Sequence, residues 1–249
     1  MDIKYELNDS YLHFKDFLLN IKKYFNENYS TIHKARNELK VIQYNNIDTV
    51  VKSFKVPNFI NQIAYAYFRD SKAKKSYLNA IKLQSLGIHT PNPIGYIEFY
   101  ENLLFKESFF IAQKYEYDFT IREPLRDINF VNRENLLKQF VAFTFNLHQN
   151  NVYHKDYSAG NILVKQISKD NYEFSVVDIN RMEFKAIDTA LGLDNFAKLW
   201  LDDTNLELIA TEYAKLANIP SSEAIELLKQ SDKKLKSFVE FKRKARGKK

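Results

Sequence analysis

Residues 151–164, NVYHKDYSAGNILV, crowd eight polar side chains against the apolar run Ile162-Leu163-Val164. Polar groups at this density cannot enter a core unpaired. The apolar run, by contrast, has the composition of a buried strand. The chain must therefore hold a polar loop at the mouth of a buried strand, with its side chains aimed outward at one point. The next residues, NILVKQISKDNYEFSVVDIN, read as a hairpin of strands 161–166 and 173–178. A second carboxylate, Asp178, then stands at the end of that hairpin.

The rest of the chain falls into two parts around this loop. The first thirty residues read as an amphipathic helix, with Leu12, Phe14, Phe17, Leu18, Ile21 and Phe25 at helical spacing. Strands 38–43 and 48–56 follow as a hairpin around YNNID, and Pro57 ends the second. From Phe59 the spacing predicts one helix that stops at Gly87. Further strands are expected at Ile94–Phe99 and Phe109–Tyr115, before a polar connector, EYDFTIREPLRD. Beyond it, RENLLKQFVAFTFNLHQNN, DNFAKLWLD, NLELIATEYAKLA and PSSEAIELLKQS are helical. The expected fold class is α+β: a small β-rich lobe over 31–117, a mostly helical lobe over 118–232, and a basic tail over 233–249.

Composition removes several alternatives. The chain has no cysteine, which excludes disulfides and thiolate metal sites. It has neither a signal-peptide run at its start nor an apolar stretch of membrane-spanning length, so a cytoplasmic protein is expected. The formal charge of +6 is uneven: residues 233–249 carry nine Lys or Arg and one acid, leaving the remainder at −2. The tail reads either as a solvated helix end or as an electrostatic foot for an anionic surface. The 36 Tyr and Phe residues read as core, so no nucleic-acid partner is expected.

The spacing His154-x-Asp156-x-x-x-x-Asn161, then a strand hairpin and Asp178, has a chemical logic. Phosphoryl transfer from ATP needs a carboxylate to orient the attacking hydroxyl and take its proton. It needs oxygen ligands for Mg²⁺, a hard cation, and a positive group for the phosphates. Asp156 fits the first role, Asn161 and Asp178 the second, and Lys52 in TVVKSF the third. Lys55 is a rival to Lys52, but alternation turns it to the opposite strand face from Val50 and Lys52. His154 reads as a hydrogen-bonding support beneath the loop within the catalytic set. Arg181 is a candidate to touch a phosphate or the loop, and His148 reads as a helix-end residue without a chemical part.

HKDYSAGN, VVD and VVK together resemble the catalytic loop, metal-binding Asp and strand lysine of the protein-kinase-like superfamily. Within it, SKAKKSYLNAIKLQSLGIHTPNPIGYIE, YHKDYSAGNILV and VVDINRM resemble the lipopolysaccharide kinase (Kdo/WaaP-like) group, from about Lys40 to Trp200. The resemblance implies a bilobal protein-kinase-like fold. It also implies ATP-dependent phosphorylation of a sugar hydroxyl of the lipopolysaccharide inner core, Kdo or heptose. ATP would lie against the connector near Gln113 and Tyr115, held mainly by backbone, with Mg²⁺ on Asn161 and Asp178. The partner would be a glycolipid or other sugar, reached from the inner face of the membrane, with the basic tail on anionic lipid.

Departures from the pattern are specific. NELKVIQYNNIDTVV has no glycine before Lys52, and Ser71–Ile97 contains no acid to pair with it, Asn79 being the nearest positional match. Ile179 and Asn180 follow the metal Asp, and Ser158 stands where serine/threonine kinases carry Lys. A sugar or small-molecule hydroxyl is therefore expected rather than a protein. A soluble small-molecule kinase of aminoglycoside or choline type, and a nucleotide-binding pseudokinase, stay open as alternatives.

Overall fold

A computed structural model of the chain describes residues 2–28, 31–34, 37–245 and 247. The described chain divides into two units, 1–116 with 178–180, and 117–177 with 181–249.

The first unit is built on a six-stranded sheet. Its strands are β1 (Asp2–Leu7), β2 (Thr31–Lys34), β3 (Asn37–Tyr44), β4 (Ile47–Phe54), β5 (Pro93–Glu101) and β6 (Leu104–Gln113), ordered β1-β5-β6-β4-β3-β2. The β3–β4 hairpin turns on Asn45 and Asn46, both at positive φ, the backbone a two-residue turn between twisted strands demands. β5 and β6 are longer than the sequence indicates. The stretch YENLLFKES is mostly paired strand, with a tight turn at Asn102-Leu103, both also at positive φ. β5 is buried on both faces, so it has no alternation of buried and exposed residues by which to trace its end.

Two helix expectations are corrected here. The N-terminal segment is not one helix: β1 pairs with β5, and a 3-10 turn at Asp9–Phe14 then leads into α1 (Lys15–Leu19) and α2 (Ile21–Glu27). Phe14, Phe17, Leu18, Ile21 and Phe25 are nevertheless buried together against Val51, Ile97 and Ile111. The apolar spacing was real, and the polar residues among it set the breaks. The helix after Pro57 is also two pieces, α3 (Phe59–Tyr67) and α4 (Lys72–Ser85). Ser71 restarts the second, its hydroxyl accepting from the Lys74 amide. Gly87 takes the left-handed conformation (φ 68) expected just past a helix end.

In the second unit, β7 (Phe119–Thr120) and the short α5 (Arg122–Arg126) occupy the polar connector. Next come α6 (Arg133–Gln149), β8 (Val152–His154), β9 (Ile162–Gln166), β10 (Tyr172–Val176), β11 (Met182–Phe184), α7 (Thr189–Ala197), α8 (Asp203–Ala217) and α9 (Ser221–Ala245). β9 and β10 form the expected hairpin with β7 at its edge, and β8 pairs with β11. Leu136, Leu137, Phe140, Val141 and Leu147 of α6 are buried, as are Phe196 and Ile209 on α7 and α8. Burial of that many large side chains, each worth about 1.5–3 kcal/mol, fixes the helices that carry the polar loop. The α+β character is thus divided by unit, sheet in the first and mainly helix in the second.

Candidate functional site

Lys52 lies on β4 between Leu39 and Phe110 of the flanking strands, its stem covered and its ammonium 2.5 Å from Asp178 Oδ1. Lys55 is past the end of β4 and exposed. Asn180 donates its side-chain amide to the same Asp178 oxygen at 2.7 Å. Asp178 itself has φ 56, a left-handed conformation that non-glycine residues adopt at a cost of about 1–2 kcal/mol. The two hydrogen bonds oppose that cost, and strain of this kind concentrates at working sites. Asn79 does not reach Lys52; its amide donates to the Ile179 carbonyl at 2.7 Å. A helix residue thus braces the backbone just after the carboxylate, while the carboxylate itself pairs with the lysine.

Gln113 ends β6. Its side-chain oxygen accepts from the Tyr11 hydroxyl (3.0 Å) and the Asn92 amide (3.2 Å), and its backbone N–H donates to the Asn92 carbonyl (2.8 Å). The side chain thus ties the N-terminal segment to the sheet. Tyr115 is half-buried two residues on, next to the point where the units divide.

The polar loop is pinned turn by turn within the second unit. His154 is fully buried on β8. Its Nε2 donates to the Val177 carbonyl at 3.0 Å, and its Nδ1 accepts the Asp156 backbone N–H at 3.1 Å. With both ring nitrogens bonded to the backbone, the imidazole braces the loop from beneath. Asn161 donates its side-chain amide to the Asp156 carbonyl (2.8 Å), and its own carbonyl accepts from the Val177 N–H (3.0 Å). With Nδ2 committed, the side-chain oxygen is the atom Asn161 offers to a ligand. Tyr157 points the other way, fully buried, with its hydroxyl 2.7 Å from Thr144 Oγ1 and its ring stacked on Phe140. The Asp156 carboxylate receives Arg181 Nη1 at 3.0 and 3.2 Å. Arg181 therefore touches the loop.

Sequence reasoning missed the layer beneath. Asn195 on α7 is buried and donates to the His154 carbonyl at 2.9 Å, while its oxygen accepts from His148 Nε2 at 3.3 Å. His148 Nδ1 accepts in turn from the Tyr213 hydroxyl at 2.9 Å. Burial pushes the His148 imidazole down to about 4, so it is neutral; it stands in the last turn of α6, as expected, and is buried in the core there. Gly192 faces this chain, where a Cβ would overlap the Tyr213 hydroxyl. The available signal was Asn195 itself, a carboxamide on the apolar face of LGLDNFA.

Among the described residues, no cluster of three or more His, Asp or Glu side chains could hold a metal ion alone. The first unit carries a carboxylate at Asp178 and the second an amide oxygen at Asn161, each an oxygen donor of the hard kind that Mg²⁺ prefers.

Comparison with solved structures places the chain beside "WaaP in complex with acyl carrier protein", with a TM-score of 0.65 and 14% identity over 94% of this chain and 98% of that one. This likeness establishes a kinase-like fold. A co-crystal structure of WbdD with the kinase inhibitor LY294002 is more distant, at TM-score 0.46 and 14% identity over 81% of this chain and 44% of that one. No curated protein sequence matches the chain. A family model does: that of the lipopolysaccharide kinase (Kdo/WaaP) family, over residues 60–218, which hold the loop, Asp178 and the layer beneath. With more than half of its length matched, the chain belongs to the lipopolysaccharide kinase (Kdo/WaaP) family and is a kinase, a phosphotransferase of sugar hydroxyls.

Proposed function

We propose that the chain transfers the γ-phosphoryl group of ATP, with Mg²⁺, to a sugar hydroxyl of the lipopolysaccharide inner core, Kdo or heptose. The observation that carries this reading is the pinned loop 154–161, in which His154, Asn161 and Arg181 all bond to Asp156. When bound, Mg-ATP supplies the phosphoryl group and the metal charge that neutralises it. Asp156 accepts the proton of the attacking hydroxyl, and Arg181 keeps its carboxylate oriented. Lys52 would hold phosphate oxygens, and Asp178 and Asn161 would supply oxygen donors to the metal. Asn180 and Asn79 brace the left-handed backbone at 178–179 that carries this carboxylate. The connector near Gln113 and Tyr115 is the proposed adenine contact, made through backbone.

The acceptor is a glycolipid, so the basic tail is proposed as a peripheral contact with anionic lipid. No described helix is long and apolar enough to cross a membrane. The test of the reaction is direct. Purified protein with labelled ATP, Mg²⁺ and deacylated core oligosaccharide should transfer label to the sugar. Asp156→Asn should keep ATP binding and folding but lose transfer by about 10²-fold or more, the usual contribution of a general base. Near-normal transfer by that variant would remove Asp156 from the mechanism.

A further inference from the structure

Helix α3 is built the wrong way round for a surface helix. Its sequence, FINQIAYAY, has no charge and is apolar on most sides, yet none of its residues is buried. Apolar helices of that kind are normally enclosed. Phe59, Ile60, Tyr67 and the following Phe68 are 62%, 77%, 59% and 82% exposed. At 100° per residue, Phe59, Ile60, Ile63, Ala64 and Tyr67 fall on one stripe, whereas Tyr65 lies on another side and packs on Phe105 of β6. The stripe therefore faces away from the sheet that holds the helix. Cations stand at both ends, Lys55 before it and Arg69, Lys72 and Lys75 after it, all exposed. Asp70 is the one acid in this stretch, and Lys74 neutralises it at 2.7 Å.

We propose that α3 is an interfacial anchor, which lays its Phe59–Ile60–Tyr67 stripe into the headgroup–acyl boundary of an anionic bilayer. An uncharged aromatic-aliphatic face flanked by snorkelling Lys and Arg suits that boundary. The flanking cations complement anionic headgroups, whereas a second copy of the same stripe would bring like charges together. The inference rests on the glycolipid-acceptor reading for its purpose, because an enzyme whose acceptor is embedded in a bilayer must work at that surface. The anchor is distinct from the catalytic residues and from the basic tail.

The chain has no cysteine, so Ile60→Cys gives one labelling site for an environment-sensitive fluorophore on the full-length protein. With vesicles of phosphatidylethanolamine and phosphatidylglycerol, its emission should shift to the blue and be quenched by lipids brominated near the glycerol end. Label at Lys165→Cys, an exposed strand position, should do neither. The double variant Phe59→Ser, Ile60→Ser should partition to these vesicles at least about tenfold less. An aqueous spectrum at position 60 while the chain co-sediments with vesicles would overturn the proposal. So would a blue shift that needs only protein concentration or an added acidic carrier protein, since another protein would then cover the stripe. Transfer to deacylated core should be unchanged in the double variant. Failure of the wild type in that assay would count against the catalytic reading, and the fluorescence alone would still decide the anchor.

Discussion

Lys52 and Lys55 are three residues apart, and the structure gives them opposite circumstances. Lys52 is covered and paired with Asp178; Lys55 is exposed beyond the strand. Lys52→Ala should slow transfer by about 10²-fold or more, the range for removing one preorganised positive or hydrogen-bonding group from developing charge. Lys55→Ala should leave it near wild type. The reverse order in steady-state rates would put the wrong lysine on the phosphates. Asp178→Ala should separately abolish most of the Mg²⁺-dependent rise in melting temperature that ATP produces by binding only the folded state. A shift that survives this substitution would place the metal elsewhere. The named residues were legible because alternation, the loop spacing and the hairpin each narrow the choice. Asn180 was not, because its role is to bond a carboxylate two residues away at a left-handed kink, and no periodicity announces such a bond.

Among the elements, those with one dominant signal were legible. The β3–β4 hairpin, α6 and the β9–β10 hairpin each combine clean periodicity with a turn or boundary residue. β1 was not legible, because it is an exposed edge strand six residues long whose alternation is overrun by the helical spacing after it. The α3–α4 break was marked by Ser71, but unbroken apolar spacing on either side concealed it. α9 shows what the tail becomes. It runs unbroken from Ser221 to Ala245, buries Ala224 and Leu228 in its first half, and leaves Phe238, Val239 and Phe241 exposed in its second. Arg246, Lys248 and Lys249 lie outside the described residues. A basic helix with exposed aromatics gains about 1 kcal/mol per Lys or Arg near an anionic surface. The full chain should therefore co-sediment with anionic vesicles at low salt, and a chain ending at Asp232 much less. Salt should weaken the difference, since charges are screened over about 8 Å at physiological ionic strength. Indifference of both chains to vesicles at every salt concentration would make the tail a solvated end and favour a soluble acceptor.

For the molecule as a whole, the α+β class and its division into sheet and helices were readable from periodicity. The buried polar layer under the loop was not, because its members come from α6, α7 and α8 and meet only in three dimensions. That layer has a measurable consequence for stability. His148 is neutral in the folded chain and titrates near 4, against about 6.5 when unfolded. Above pH 6.5 both states are neutral and its contribution is complete. As pH falls from 6.5 toward 4, the unfolded state takes up the proton first, so stability should drop by about 3 kcal/mol over that window. Urea unfolding at steps of pH should show this slope, and His148→Gln should flatten it. An unchanged slope in that variant would assign the effect to other groups. The central claim, phosphorylation of the lipopolysaccharide core through Asp156, is tested most directly by the mass of lipopolysaccharide from cells with and without the gene. The core should lack one phosphate without it, regain it with the wild-type gene, and fail to regain it with Asp156→Asn. Identical masses in all three would contradict the account.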